Sequence, residues 1–403
     1  MNAVGIDVSK GKSTVAVLRP FGEIVVSPFD VFHNPKELKE LVTLLKSLDG
    51  ETKVVMEYTG NYYLPIAQFF QNNGLFVSVI NAILIHNYGN KSLRKAKTDK
   101  KDALKLASYA LDRWLELPSF SAPSDTRKLL KSFNRQCCQN NKLKVMIKNN
   151  LIALLDQTFP GVNSLFSPHK RKIDGHEKWI DFALKYPHAE CVSKKSLSAF
   201  SKSYCSWCSK NGYGFSKNKA KEIYDFACNA ASTLPFDKSV SLLVSSSISQ
   251  LNCIIENLAK LEIEMNRLAS SLPEYNVVMS MFGVGTTLGP QLIAEIGNVS
   301  RFHNKRALVA FAGIDAPPFQ SGNFNAKSRS ISKRGSSPLR KTLFQVMSVI
   351  LQNSPENNSV FLFMDKKRRE GKHFYVYMTA AANKFLRIYY ARVTEQLNSL
   401  QTI

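Results

Sequence analysis

The chain has 403 residues, 44% of them hydrophobic, which is enough for two or three domains with real cores and excludes wholesale disorder. Its 54 Lys and Arg against 31 Asp and Glu give a formal charge of +23, an excess that calls for a polyanionic partner, either nucleic acid or an acidic membrane surface. No apolar run approaches the ~20 residues of a membrane span. The opening MNAVGIDVSK lacks the order of a signal peptide, and seven cysteines make no disulfide framework, so the sequence reads as a soluble protein of a reducing compartment.

Residues 3–8 and 13–18 read as strands, Pro20-Phe21-Gly22 as a turn, and 23–27 as a third strand. Asn34 is a good N-cap, with Pro35 at the first helical position, and Leu38, Leu41, Val42, Leu45 and Leu48 repeat on one helix face. A strand at 53–58, a helix over roughly 62–72, a strand at 75–80 and a helix opening near Thr98 follow. The order βββαβαβα within about 110 residues is that of an RNase H-like fold, so the expected class is α/β plus α.

Asp7 sits inside an apolar strand, where an uncompensated charge is expensive, and Glu57 follows the apolar run Val54-Val55-Met56. Asp99 and Asp102, three apart at a helix start, project from one face. Taken singly, each carboxylate has a bland explanation: a helix-start charge favoured by the dipole, or a strand-end surface acid. Taken together they need positive charge between them. Two Mg²⁺ (or Mn²⁺) ions satisfy that and are what in-line displacement at a phosphate uses. The basic residues cluster too. Seven lie between Lys91 and Lys105, and Lys97, Lys100 and Lys101 suit a phosphate backbone arriving at the metals.

From Ser124 to Thr158 the chain turns polar-helical, and 160–235 has weak periodicity and reads as an insertion. Val244, Ile248, Leu251, Ile254, Leu258, Leu261, Met265, Leu268 and Leu272 then step by fours and threes, a heptad seam. The two long helices are free to pair with each other or with another subunit. In the insertion, His188, Cys191, Cys205 and Cys208 have a ligand set able to close a tetrahedral zinc site, against the plainer reading of scattered cysteines. The expected domains are 1–115, 116–273 and 274–403.

In the last of these, Phe282-Gly283-Val284-Gly285 fits either a helix-hairpin-helix contact to phosphate or a plain packing corner. Six basic residues lie between Lys327 and Lys341 with no acid among them, Arg329, Lys333, Arg334 and Arg340 included. Ser321 falls on an expected loop after Pro317-Pro318; spacing alone makes it a loop serine, because nothing near it in sequence would activate a hydroxyl.

GIDVSK (5–10), MEYTG (56–60), INAIL (80–84) and KTDKKDA (97–103) resemble the DEDD-type transposases of bacterial insertion sequences, the bridge-RNA-guided recombinases with a RuvC-like N-terminal domain. MFGVGTTLGPQLIAEIG, RFHNKRALVAFAGIDAPPFQSG and SKRGSSPLRK resemble that family's second domain. The resemblance implies a metal-binding tetrad at Asp7, Glu57, Asp99 and Asp102, and a catalytic serine at Ser321. It further implies double-stranded donor and target DNA, a structured guide RNA, a covalent phosphoserine intermediate, a homo-oligomer (dimer or tetramer) and a bacterial cytoplasmic setting. The competing reading is a RuvC-like junction endonuclease that uses water and needs no serine.

Overall fold

The computed structural model describes residues 1–58, 60–88, 98–167, 171, 175–318, 320–321, 324–325 and 329–401. They fall into two compact units, 1–123 and 124–403.

Unit one opens with the meander β1 (Asn2–Val8), β2 (Lys12–Leu18) and β3 (Ile24–Phe32). Helix α1 (Pro35–Lys46) starts where expected: the Asn34 side chain accepts from the Glu37 amide at 2.9 Å, and the Glu37 carboxylate reaches back to the Phe32 amide at 2.7 Å. Then come β4 (Thr52–Glu57), α2 (Tyr63–Asn72), β5 (Phe76–Ile80), α3 (Ala82–Tyr88) and α4 (Asp99–Asp112). The sheet order is β3-β2-β1-β4-β5, with β2 antiparallel to both neighbours and β4 and β5 parallel to β1. This is the RNase H-like arrangement expected from the element order, and it makes β1 the central strand.

Side chains alternate between two cores. Val4, Ile6, Val54 and Met56 pack with the apolar stripe of α1 and with Ile66 and Phe70 of α2. Ala3 and Val55 face the other way, toward Leu106, Ala107 and Ala110 of α4. Two details differ from the sequence reading. β3 continues past residue 27 through Pro28, which an edge strand tolerates because a missing N–H breaks no central ladder. The short α3 was not expected: only its Ile85 is buried, while Ile83 and Leu84 are exposed, so it shows no apolar stripe.

Unit two begins with the long α5 (Asp125–Thr158). The stretch read as an insertion is a helical module of α6 (Lys178–Lys185), α7 (Glu190–Ser193), α8 (Leu197–Lys210) and α9 (Lys217–Cys228). Its core is aromatic: Phe159, Phe182, Tyr186, Phe200 and Tyr204 are fully buried. Large rings in short helices fill the space without a repeating aliphatic stripe, which is why the periodicity looks weak.

Helix α10 (Lys238–Ser270) pairs with α5 inside the chain. Val244, Ile248 and Leu251 share a core with Leu151 and Leu155, while Leu258 and Met265 share one with Leu130 and Cys137. The two helices therefore run antiparallel. Beyond them lie α11 (Tyr275–Met279), α12 (Leu288–Ile296), α13 (Lys305–Ala312), the two-residue strands β6 (Gln320–Ser321) and β7 (Phe324–Asn325), α14 (Ser337–Asn353), α15 (Ser359–Arg369) and α16 (Phe374–Gln401). Among the described residues no helix is long and apolar enough to cross a membrane.

Candidate active site and basic segments

The register sets the first site. Asp7 on β1 pairs with Thr14 on β2, and Thr14 pairs with Asp30 on β3. On the parallel side the last pair is Ile6 with Met56, so Asp7 and Glu57 come next in step. Asp30, Thr14, Asp7 and Glu57 thus form one row across the sheet. Two-residue alternation from Ala3 and Val55 places Asp7 and Glu57 on the α4 face.

Helix α4 is capped by Thr98, whose side chain accepts from the Lys101 amide at 3.3 Å, and its first turn carries Asp99 and Asp102. A β-carbon at Gly5 would overlap the Ala103 carbonyl and sit 2.5 Å from the Ala107 amide, so the helix rests directly on β1. Just past the other end of α4, the Trp114 carbonyl accepts from Lys53 Nζ at 2.9 Å near the start of β4, so the first turn of α4 lies toward the opposite end of the sheet, where Asp7 and Glu57 stand. All four sequence-identified carboxylates therefore come to one end of the sheet. Asp99 is exposed, and Asp7, Glu57 and Asp102 are partly buried.

The sequence reading missed Asp30 in this row and Lys12 beside it. Lys12 Nζ lies 2.8 Å from Asp30, and Thr14 Oγ1 donates to the same carboxylate at 2.7 Å. Those hydrogen bonds hold Asp30 below the usual carboxylate range and raise Lys12. The signal was present in Phe29-Asp30-Val31, which continues the strand alternation beyond the expected end of β3.

The four carboxylates offer only oxygen ligands, the donor set of a hard divalent cation. As the side chains stand, no three His, Cys, Asp or Glu residues among those described close around a point able to hold a metal ion. Lys100 and Lys101 are exposed on the first turn of α4, and Lys97 lies outside the described residues.

In unit two, Ser321 is not on an open loop: it ends β6 and pairs with Phe324 of β7. Arg329, Lys333 and Arg334 are exposed, but the basic run is less free of acids in space than in sequence. Ser332 Oγ donates to Asp315, and Ser336 Oγ donates to buried Glu295 at 2.8 Å. Arg340 turns inward, where Nη1 donates to the Ala312 carbonyl at 3.0 Å and closes the end of α13. Arg340 thus has a structural bond in addition to its charge.

Gly283 has φ +81° and packs against Val346 and Ile350 of α14, which favours a packing corner for the glycine turn. The zinc set does not assemble. His188 is buried with Nε2 3.0 Å from the Leu234 carbonyl and Nδ1 accepting from the Glu190 amide at 3.1 Å, so both ring nitrogens are used. Buried Glu274, which the sequence reading also missed, holds Arg127 through both carboxylate oxygens.

Residues 4–160 match the family described as "DEDD_Tnp_IS110: Transposase", and residues 275–360 match "Transposase IS116/IS110/IS902 family". The chain carries IS110/IS116-type DEDD transposase domains, and it is a DNA transposase or recombinase enzyme. It is 25% identical over 342 residues to the pilin gene-inverting protein of Moraxella bovis, covering 85% of this chain and 80% of that one. It is 30% identical over 156 residues to the transposase for insertion sequence element IS1111A of Coxiella burnetii, covering 36% and 42%. A solved structure of T. thermophilus RuvC in complex with Holliday junction substrate matches 30% of this chain and 99% of that chain, with 12% identity and a TM-score of 0.24.

Proposed function

We propose that this protein is an RNA-guided recombinase of an insertion sequence that cleaves DNA strands and rejoins them to new partners. The observation that carries the reading is the placement of Asp7 and Glu57 side by side at one end of the sheet, with Asp99 and Asp102 in the first turn of α4, within a segment matched to DEDD transposases. The named relatives invert a gene or transpose an insertion element, and both tasks need cleavage followed by rejoining.

Asp7, Glu57, Asp99 and Asp102 would hold one or two Mg²⁺ or Mn²⁺ ions. When bound, such an ion neutralises a phosphate and lowers the pKa of a hydroxyl near it. Lys100 and Lys101 draw the backbone toward that end of the sheet. Ser321 is the proposed nucleophile. Its Oγ forms a bond to phosphorus as one deoxyribose oxygen leaves; the serine proton passes to a base and the departing oxygen takes up a proton. Attack by a new hydroxyl reverses the exchange, so the phosphodiester energy is kept and no ATP is required. Sequence choice then falls to a structured guide RNA, whose backbone suits a chain of charge +23.

The test uses labelled target DNA with Asp7→Asn, Asp102→Asn and Ser321→Ala. Each should abolish recombination while binding survives, and in the wild type a protease-sensitive protein–DNA adduct should map to Ser321. Free cleaved ends at every time point, with Ser321→Ala still cutting, would mean a water-using junction nuclease. Full activity in Asp102→Asn or in excess EDTA would refute the metal site. Co-purification of a discrete structured transcript tests the guide, and binding that tracks only RNA length and salt would remove it.

A further inference from the structure

The turn between α15 and α16 carries a combination that neither the carboxylate row nor the Ser321 hairpin accounts for. Residues 368–376 are all exposed. Among them Phe374 is 43%, Tyr375 65% and Val376 52% exposed. Clustered apolar exposure of this kind marks an interaction surface. The rings are ordered: Tyr375 stands edge-on to Phe374 with centroids 5.3 Å apart and lies 5.9 Å from His373, while Phe374 rests 5.4 Å from buried Tyr377.

The same turn is basic, reading KKRREGKH over 366–373. Two of its cations are already paired, Lys367 with Glu370 at 2.7 Å and Arg369 with Asp365 at 2.6 Å. Lys366, Arg368 and Lys372 are exposed and make no salt bridge among the described residues. Exposed aromatic faces next to spare cations are what an unpaired nucleotide strand requires. Its bases have free π faces to stack, and its phosphates follow at short intervals. A duplex offers the phosphates but keeps its base faces stacked inside.

We propose that the α15–α16 turn binds single-stranded nucleic acid, with bases stacking on Tyr375 and Phe374 and phosphates held by Lys366, Arg368 and Lys372. This rests on the reading of the chain as a strand-cleaving enzyme, whose reaction exposes unpaired nucleotides, and it names a partner surface for that activity.

The test uses the full chain, a fluorescent 20-nucleotide single strand carrying 5-iodouracil, and its duplex. Irradiation should crosslink the single strand to Tyr375 or Phe374, as read by peptide mapping. Tyr375→Ala should weaken single-strand binding about five- to 150-fold, leave duplex binding unchanged, and be rescued by Tyr375→Phe. Replacing Lys366, Arg368 and Lys372 with Gln should flatten the salt dependence of single-strand binding. Crosslinks confined to other peptides, with wild-type affinity in Tyr375→Ala, would overturn the proposal. So would equal losses for strand and duplex, or a fall in oligomer mass by light scattering, which would make the turn a self-interface. Asp102→Asn separates the two readings: loss of cleavage there, with normal strand binding by Tyr375→Ala, rejects this surface and leaves the enzyme.

Discussion

Ala103 of α4 lies against Gly5 of β1 so closely that a β-carbon on the glycine would overlap its carbonyl oxygen. The contact sets the height of α4 above the sheet, and Asp102 is the residue just before it. Gly5→Ala must push the helix away from the strand, because the obstacle is backbone and cannot rotate aside. We expect a loss of about 1–3 kcal/mol, as for overpacking elsewhere, read as a lower urea midpoint. Strand cleavage should fall further than stability does, since the two aspartates move with the helix. A variant as stable and active as the parent would show that α4 tolerates another height.

Glu295 is almost fully buried and accepts from Asn134 at 2.8 Å, Arg135 at 3.0 Å and Ser336 at 2.8 Å. It joins α5, α12 and the basic segment before α14. Glu295→Ala leaves the Asn134 amide without its acceptor and should cost about 1–3 kcal/mol. Arg135 is half exposed and can turn to water, so the loss stays below that of a fully buried pair. Protease cleavage within 329–336 should quicken in this variant. An unchanged denaturation midpoint would mean that the network contributes nothing.

His33 gives unit one a pH dependence of known sign. Its Nε2 is 2.7 Å from Ser13 Oγ, and burial holds its pKa below the usual 6.5. Below about pH 6.5 the unfolded chain takes up a proton that the folded chain resists. The contribution is therefore complete above that value and is lost as pH falls through the depressed one. His33→Gln should narrow the difference between urea midpoints at pH 7.5 and pH 5.5. An equal difference in both proteins would assign the acid sensitivity elsewhere.

The cysteines should differ sharply in reactivity. Cys137 is buried against Met265, and burial pushes its thiol up to about 11, whereas Cys228 and Cys253 are exposed. Iodoacetamide at neutral pH should label Cys228 and Cys253 first and leave Cys137 untouched until denaturant is added, as followed by peptide mass. Early labelling of Cys137 would show that the α5–α10 pairing opens readily.

Much of unit one could be read from the chain alone, because its elements carry local signals. Asn34, Pro35 and Glu37 start α1 by short-range capping, and the apolar runs of β1, β2 and β4 need no partner to be recognised. The carboxylates Asp7 and Glu57 stood out for the same reason, as charges attached to strands that are otherwise buried. Asp30 and Lys12 did not stand out, since the place of Asp30 in the row and its pairing with Lys12 depend on cross-strand register, a relation between residues 16 to 18 positions apart. Glu295 and Glu274 were invisible too: nothing local marks an ordinary glutamate as buried, and their partners Asn134, Arg135 and Arg127 come from α5, up to 161 residues away. The heptad spacing fixed which face of α10 is apolar, but its partner was a choice between surfaces of similar pattern. Packing decided it for α5, because the two helices bury their apolar faces against each other along an antiparallel pair.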